Sequence, residues 1–337
     1  MTPMPTDTFR CYLVRKTGND QVEAGVEQRP LRDLPPGDVL IRVEYSSLNY
    51  KDAMAATGHP GIVKAFPHVP GIDAAGTVAE SNNANFKPGD AVITTGHELG
   101  VERWGGWAEF VRVPAEWVVP LPEGLTLEES MILGTAGFTA AQCVHALRHN
   151  GIEPGSGPVV VTGATGGVGS IAVMVLARLG YEVVAVSGKQ ERHDWLRNLG
   201  ARRIIGRDEM HDDSSRPLLK SEFTGGIDTV GGQTLSTLIR RVRHRGCVAN
   251  CGVVGGGELP LTVYPFILRG ITLSGIDSAW CPDDRRAEIW RLMAGEWKPD
   301  GLKELAIHVP LEEIGDPVDQ ILRGQIAGRV VAELQRS

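Results

Sequence analysis

Apolar residues along this chain fall into two different rhythms. Between residues 9 and 120 they come in short, β-branched stretches (VLIRVEY, AGTVAE, AVITTG, AEFVRV, WVVPLP) broken by Gly/Pro turns such as LPPGD and FKPGD. Short strands punctuated in this way predict an irregular, mostly antiparallel β domain. From about residue 126 the rhythm becomes strand, loop, helix. TLEESMILGTAGFTAAQCVHAL predicts a long helix, opened by Thr126 with Glu129 three residues on, a capping-box pattern. PVVVTG (158–163), EVVAVS (182–187), RRII (202–205), GIDTVG (226–231), GCVANCG (246–252) and ITLSGI (271–276) then alternate with helical segments. Six strands separated by helices predict an α/β arrangement with a doubly wound parallel sheet. The stretch 278–337 carries a helix around RRAEIWRLM and a closing strand, GRVVAEL, able to return to the first domain. The expected division is therefore 1–125, 126–277 and 278–337, with the last part belonging to the first.

One local pattern stands apart. SSLNYKDAMAATGHP (46–60) sets Asn49, Tyr50, Lys51 and Asp52 in a row. Asn49 as N-cap with Asp52 three residues later starts a helix that Gly58 and Pro60 stop. The same first turn is also suited to presenting side chains into a cleft.

Composition narrows the picture. A chain of 337 residues suggests two domains, because single cores stop growing near ~250–300 residues. The net charge of −7 argues against general binding to nucleic acid or to an acidic membrane surface. The basic run Arg240–Arg245 follows an apolar-periodic stretch and precedes Gly246, so it reads as cations at a helix C-terminus. The five cysteines are scattered, with no CxxC pair, and residues 1–7 lack an apolar signal region. Reduced thiols in a cytoplasmic protein are the expectation. No apolar run approaches the ~18 residues a membrane helix needs. Structural zinc would need four clustered Cys or His, and the sequence offers none.

VVVTGATGGVGSIAV carries the most chemistry. It is a strand, a glycine-rich turn and a helix start, with glycines at 163, 166, 167 and 169; in the GxGxxG frame the first position is Ala164. Gly166 and Gly167 let the backbone approach a pyrophosphate, and Gly169 permits close helix–strand packing. The next strand bears on which dinucleotide binds. NAD sites place an acid about 20 residues on. Here Ser187-Gly188-Lys189 occupies that place, and Glu182 lies at the strand's beginning instead. A hydroxyl with an ammonium holds a 2′-phosphate that a carboxylate would repel, so the expected cofactor is NADPH. Arg207 is a further candidate; Arg192 is another, or equally a solvated helix residue.

At this point the chain resembles the medium-chain dehydrogenase/reductase superfamily over essentially its whole length. It is most similar to the zinc-free quinone-oxidoreductase side, in the NADPH-dependent acrylyl-CoA reductase branch. The strings that carry the likeness are SSLNYKDA, FPHVPGIDAAGTV, WGGWAEF, MILGTAGFTA, VTGATGGVGS, AVSGK, GIDTVGG and PFILRG. The resemblance implies a GroES-like β catalytic domain joined to a Rossmann domain. It implies NADP contacts at Thr165, Gly166, Gly167 and Val168, a 2′-phosphate pocket at Ser187, Gly188 and Lys189, and a further contact at Arg207. Lysine at 189 keeps the charge of the arginine often found there but not its bidentate geometry. Tyr50 matches a nicotinamide-side contact, and residues around Val253, Ile267 and Ser278 are expected to line the nicotinamide. Pairing of Rossmann sheets through ITLSGI in a homodimer follows by the same analogy.

The likeness also bears on metal. Zinc alcohol dehydrogenases place a cysteine near Asn49 and a His-Glu pair near Ile72-Asp73, and this chain has neither. His97-Glu98 lies past that position without cysteine company, and His145 and His149 lack the glutamate of HExxH. No metal is expected. The implied reaction is reduction of the C=C bond of acrylyl-CoA to propanoyl-CoA, by hydride addition at the β-carbon and protonation of the resulting enolate. Reduction of quinones or of other α,β-unsaturated carbonyls needs the same geometry, and a non-enzymatic NADPH-binding role is the alternative of another class. Asn49 and Tyr50 are the candidates for orienting the acceptor or donating to its oxygen, with Asp52 as a catalytic candidate that also completes the helix cap. Lys51 is expected at the surface. Trp104-Gly105-Gly106 is either a flexible wall over the substrate or a hairpin turn with a buried indole. Cys247 and Cys251 read as small residues in the sheet.

Overall fold

The computed structural model of the protein describes residues 8–18 and 21–335. The ends of the expected division, 1–7 and 336–337, lie outside the described residues, as does the reading of residues 1–7 as lacking a signal region.

Residues up to Thr135, with 279–294 and 301 onward, form one compact unit. Its strands are β1 (Thr8–Lys16), β2 (Val22–Pro30), β3 (Val39–Leu48), β4 (Asp73–Ser81), β5 (Ala91–Thr95), β6 (Phe110–Val113) and β7 (Val118–Pro120), with helix α1 (Tyr50–Ala56) between β3 and β4. β3 pairs antiparallel with both β4 and β6, and its Val39, Leu40, Ile41 and Val43 are buried. Consecutive burial of Val39, Leu40 and Ile41 means that both faces of the strand are covered there, which is why the stretch reads as a short apolar run. Gly76 of β4 lies so close to β3 that a Cβ there would meet the Arg42 carbonyl at 1.9 Å. The core of the unit gathers Phe9, Leu13, Ile41, Leu48, Trp107 and Leu334.

The predicted long helix is α2 (Leu127–His149), capped as expected by reciprocal bonds between Thr126 and Glu129 at 3.0 and 3.1 Å. It is not continuous. Gly134 takes φ 50°, ψ −156° and breaks it, and the two units divide at 135/136, not at 125/126. The reason is local: the first half of α2 ends on hydrogen bonds that Ile132 and Thr135 make to residues of the β-rich unit.

The second unit spans 136–278 with 295–300. It contains β8 (Val159–Val161), α3 (Gly167–Arg178), β9 (Val183–Val186), α4 (His193–Asn198), β10 (Arg203–Ile205), β11 (Phe223–Asp228), α5 (Gly232–Arg241), β12 (Val242–Asn250), α6 (Tyr264–Arg269) and β13 (Thr272–Gly275). All pairings are parallel, in the order β10-β9-β8-β11-β12-β13. This is the doubly wound order whose connections reverse between β8 and β11, where ligands bind beyond the strands' carboxyl ends. The basic run is only half a helix end. Arg240 and Arg241 close α5, but Arg243, His244 and Arg245 belong to β12, which starts ahead of GCVANCG. A register shift against β11 accommodates them, with Arg245 at φ 60°. Arg240 is itself buried, bonded to Asp212 and to the carbonyls of Ser214 and Arg216, each at 3.0 Å.

The chain then returns through α7 (Asp283–Ala294), β14 (Ala306–Pro310), α8 (Val318–Leu322) and β15 (Arg329–Glu333). β15, the GRVVAEL segment, pairs antiparallel with β3, placing Val330 opposite Leu48. Among the described residues no helix is long and apolar enough to cross a membrane.

Candidate active site

In the parallel unit, the turn after β8 delivers the start of α3. Gly163 has φ 58°, and a Cβ on Gly169 would strike its carbonyl at 2.3 Å, so helix and strand approach as closely as glycine allows. Gly166 caps α3 in an extended conformation and has nothing nearer than 3.4 Å where a Cβ would stand. The amides of this first turn have no acceptor within the helix and suit an anion. Thr165 is buried at the turn, and Val168 is half-buried on the helix.

At the end of β9, Ser187 is buried, and its Oγ accepts from the Lys189 amide at 3.1 Å. The exposed Gly188 runs beneath Arg207, whose Cδ and Nε lie 3.1 Å from a Cβ built there. The Lys189 ammonium is held below the usual lysine range, first by partial burial and then by Arg207 and Arg192. Arg207 and Arg192 lie close enough to act on the Lys189 charge, so positive charge gathers at the end of β9, a chemistry that fits a doubly charged anion such as a 2′-phosphate. Val253, after β12, and Ile267, on α6, are both exposed, and Ser278 is half-buried.

A residue that the sequence reading passed over ties this end together. The Asp228 carboxylate, at the end of β11, accepts from Thr162 Oγ1 (2.7 Å), Asn250 Nδ2 (2.8 Å) and the amides of Val230 and Gly231. Burial pushes its pKa up, with those bonds opposing. It fastens the carboxyl ends of β8, β11 and β12 where the strand order reverses. Cys247 is buried within β12, its thiol pushed up to about 11 by burial, and Cys251 is half-buried just beyond.

In the β-rich unit, Asn49 precedes α1 in an extended conformation, and its backbone N–H donates to Asp52 Oδ2 at 2.8 Å. The Asn49 side chain is fully engaged. Its Nδ2 donates to Asp52 Oδ2 (3.0 Å) and Asp73 Oδ2 (2.8 Å), and its Oδ1 accepts from Arg329 Nη1 (3.1 Å). Asp52 is wholly buried, with Oδ1 accepting from the amides of Gly71 (3.1 Å) and Ile72 (2.8 Å). Burial, then the charge of Asp73, pushes its pKa up to about 7 against these bonds. Asp73 accepts from Ser47 Oγ and from the Thr135 amide and hydroxyl. In this cluster neither carboxylate meets solvent, so Asn49 and Asp52 shape the site while Tyr50, 43% exposed, is the member of the row that meets solvent. Lys51 is half-buried rather than fully at the surface.

Two sequence-level options for Trp104-Gly105-Gly106 give way to a third. The segment is neither free wall nor hairpin. The amides of Gly105 and Gly106 bond to Val69 O and Gly71 O, each at 2.7 Å, and the half-buried Trp104 indole donates to Pro67 O at 3.0 Å. It is the neighbouring Trp107 that is fully buried, its indole donating to Ser47 O.

Residues 35–123 match the family described as alcohol dehydrogenase GroES-like domain, and residues 167–294 the family described as zinc-binding dehydrogenase. Acrylyl-CoA reductase AcuI of Ruegeria pomeroyi is 45% identical over 97% of this chain and 99% of its own. YhfP of Bacillus subtilis, which carries a quinone oxidoreductase name, is 48% identical over 97% of this chain and 99% of its own. This chain belongs to the zinc-free branch of the medium-chain dehydrogenase/reductase family. The structure of the yhdH oxidoreductase from Salmonella enterica in complex with NADP superposes with TM-score 0.94 at 45% identity, covering 97% of this chain and all of that one. That of Bacillus subtilis yhfP with NAD bound gives 0.95 at 47%, covering 98% of this chain and all of that one.

The zinc of the wider family does not fit these residues. Asn49 can offer a metal only its amide oxygen, which faces the Arg329 guanidinium, and Asp73 is saturated by Ser47, Asn49 and Thr135. Among the described residues no group of three or more His, Cys, Asp or Glu could hold a metal ion. His97 is absorbed elsewhere: its ring stacks on Trp117 at 5.0 Å, meets Trp280 edge-on at 6.0 Å, and is pushed down to about 4 by burial and Arg286. Sequence reasoning missed Asp73 and Arg329 as site members. Their signal was faint: an acid inside GIDAAG and an arginine opening the last strand, each ordinary alone.

Proposed function

We propose that the protein is an NADPH-dependent reductase of enoyl thioesters, reducing the C=C bond of acrylyl-CoA to propanoyl-CoA without zinc. The observation that carries the reading is the closed hydrogen-bond network around Asn49, which leaves no vacant metal position and so suits an acceptor already activated by its own carbonyl. The 45% identity to an acrylyl-CoA reductase supports the substrate. The cluster of Ser187, Lys189 and Arg207 supports the phosphorylated cofactor, with Thr165, Gly166, Gly167 and Val168 on the pyrophosphate, and Val253, Ile267 and Ser278 beside the nicotinamide. NADPH supplies the hydride when bound. Tyr50 orients the acceptor on the nicotinamide side, and its hydroxyl donates to the carbonyl oxygen as negative charge develops there. Asn49 and Asp52 hold the backbone from which Tyr50 projects.

Quinone reduction is the second reading, favoured by the name that YhfP carries. NADPH oxidation measured in parallel against acrylyl-CoA, crotonyl-CoA and a quinone separates the two. Turnover of the quinone with none of the acyl-CoAs would overturn the first. We place the protein in the cytoplasm on its five free thiols. The edge strand β13, with the exposed Tyr264 and Leu268 on the preceding helix α6, supports a homodimer built across that edge. Light scattering tests it, and a monomer would exclude it.

A further inference from the structure

We infer that Arg329 is a positioning residue of the reduction site: it clamps the Asn49 amide against the carboxylates of Asp52 and Asp73 and thereby fixes the turn that presents Tyr50. The inference deepens the reading above and rests on it for the identity of the acceptor.

Arg329 opens β15 and is 3% exposed. Its Nε donates to the Ile132 carbonyl at 2.9 Å, at the end of the first half of α2. Its Nη1 donates to the Leu48 carbonyl (3.3 Å), the last residue of β3, and to Asn49 Oδ1 (3.1 Å), the residue before Tyr50. Its Nη2 lies 4.0 Å from Asp73 Oδ2 and has no hydrogen-bond partner. One guanidinium therefore joins β3, α2 and the entry to α1 where the last residue of β3 meets the exposed tyrosine's turn.

Charge decides the orientation of the amide. Asn49 turns its NH2 toward two carboxylates and its oxygen toward the guanidinium. A flipped amide would set oxygen against oxygen twice and donor against donor once, so a single rotamer survives. The charged groups facing this amide are Asp52 at the start of α1, Asp73 from β4 and Arg329 from β15. Without the arginine, two buried acids share one neutral donor, and the Asn49 oxygen loses the partner that holds it from the other side. A cation that served packing alone would have no reason to meet the oxygen of the capping residue.

Full-length Arg329→Met and Arg329→Lys variants test this, normalised to folded protein by thermal melts. With the acceptor that the unaltered protein reduces, Arg329→Met is expected to lose between about tenfold and a hundredfold in kcat, the scale of a misplaced positioning group. Its NADPH dissociation constant, from fluorescence titration, stays within about twofold, and Arg329→Lys recovers part of the loss. Unchanged kcat per folded molecule, or a loss confined to NADPH affinity, would overturn the inference. A readout independent of turnover guards against failure of the functional reading. In protein labelled with 3-fluorotyrosine, the Tyr50 resonance, assigned by its loss in Tyr50→Phe, shifts or broadens in Arg329→Met and returns toward its place in Arg329→Lys. A resonance unmoved by Arg329→Met overturns the inference even if no acceptor is ever reduced. A moved resonance with no turnover of any acceptor sinks the substrate assignment alone.

Discussion

Asn49 donates a side-chain amide hydrogen to Asp73 at 2.8 Å, across 24 positions of sequence, while its backbone amide is held by Asp52. The capping residue of a short helix is thus also the bridge between two buried acids. Replacing it with alanine removes the bridge and leaves both carboxylates and Arg329 short of a partner. Asn49→Ala should cost about 2–4 kcal/mol, above the ~1 kcal/mol typical of a lost cap. Urea unfolding followed by circular dichroism measures it, and a loss under about 1 kcal/mol would mean that the network relaxes around the gap.

Asp52 gives the fold a pH dependence of definite sign. Its pKa rises from 3.8 to about 7 on folding, through burial and the neighbouring Asp73. Between about pH 4 and pH 7 the folded chain therefore holds more of this proton than the unfolded chain does. Its contribution is fully present below pH 4, falls as pH rises through 7, and is flat above. Asp52→Asn should remove that slope, as read from unfolding midpoints at pH 4.5, 6 and 8. A wild-type slope that survives the substitution would assign the titration to another group.

The proposed 2′-phosphate pocket predicts cofactor choice. Lys189→Ala and Arg207→Ala each remove a charge-assisted contact worth about 1.5–3 kcal/mol. KM for NADPH should therefore rise about tenfold to a hundredfold, with KM for NADH nearly unchanged. Steady-state kinetics with both cofactors decides it, and equal effects on the two would place these cations away from the 2′-phosphate.

Gly134 is irreplaceable for a geometric reason. With φ at 50°, a Cβ there would sit 2.5 Å from Asp73 Oδ2 and 2.9 Å from Ser47 Oγ. Gly134→Ala adds strain and collision together, and a loss of at least about 2 kcal/mol is expected. A thermal midpoint within a degree of the parent would show that α2 can straighten without disturbing Asp73.

What was legible in the sequence, and what was not, divides along the range of the interactions. The strands of the parallel sheet announced themselves because both faces are buried: Val159, Val160 and Val161 form an unbroken apolar run, as do Val183 through Val186. The cap at Asn49 and the box at Thr126–Glu129 were readable because both partners lie within one turn. The start of β12 was hidden, since Arg243, His244 and Arg245 point to solvent around a register shift and resemble a helix tail. Asp73 and Arg329 were hidden for a different reason: no local pattern records a partner met only across a sheet. Asn49 itself was found, but its partners were not, because a sequence shows that an amide is present and not that its hydrogens are already spoken for.

The saturation of Asn49 also constrains how such a centre can change through descent. Replacing Asn49 with cysteine, the residue that zinc-dependent members of the superfamily keep near this place, would exchange the amide that donates to two buried carboxylates for a neutral thiol, and would leave Arg329 without its acceptor. The intermediate sequences would carry buried, unmatched charge. Metal-free and metal-bound versions of the site are thus separated by several substitutions that succeed only together, and a lineage that has crossed that gap has little prospect of drifting back one mutation at a time.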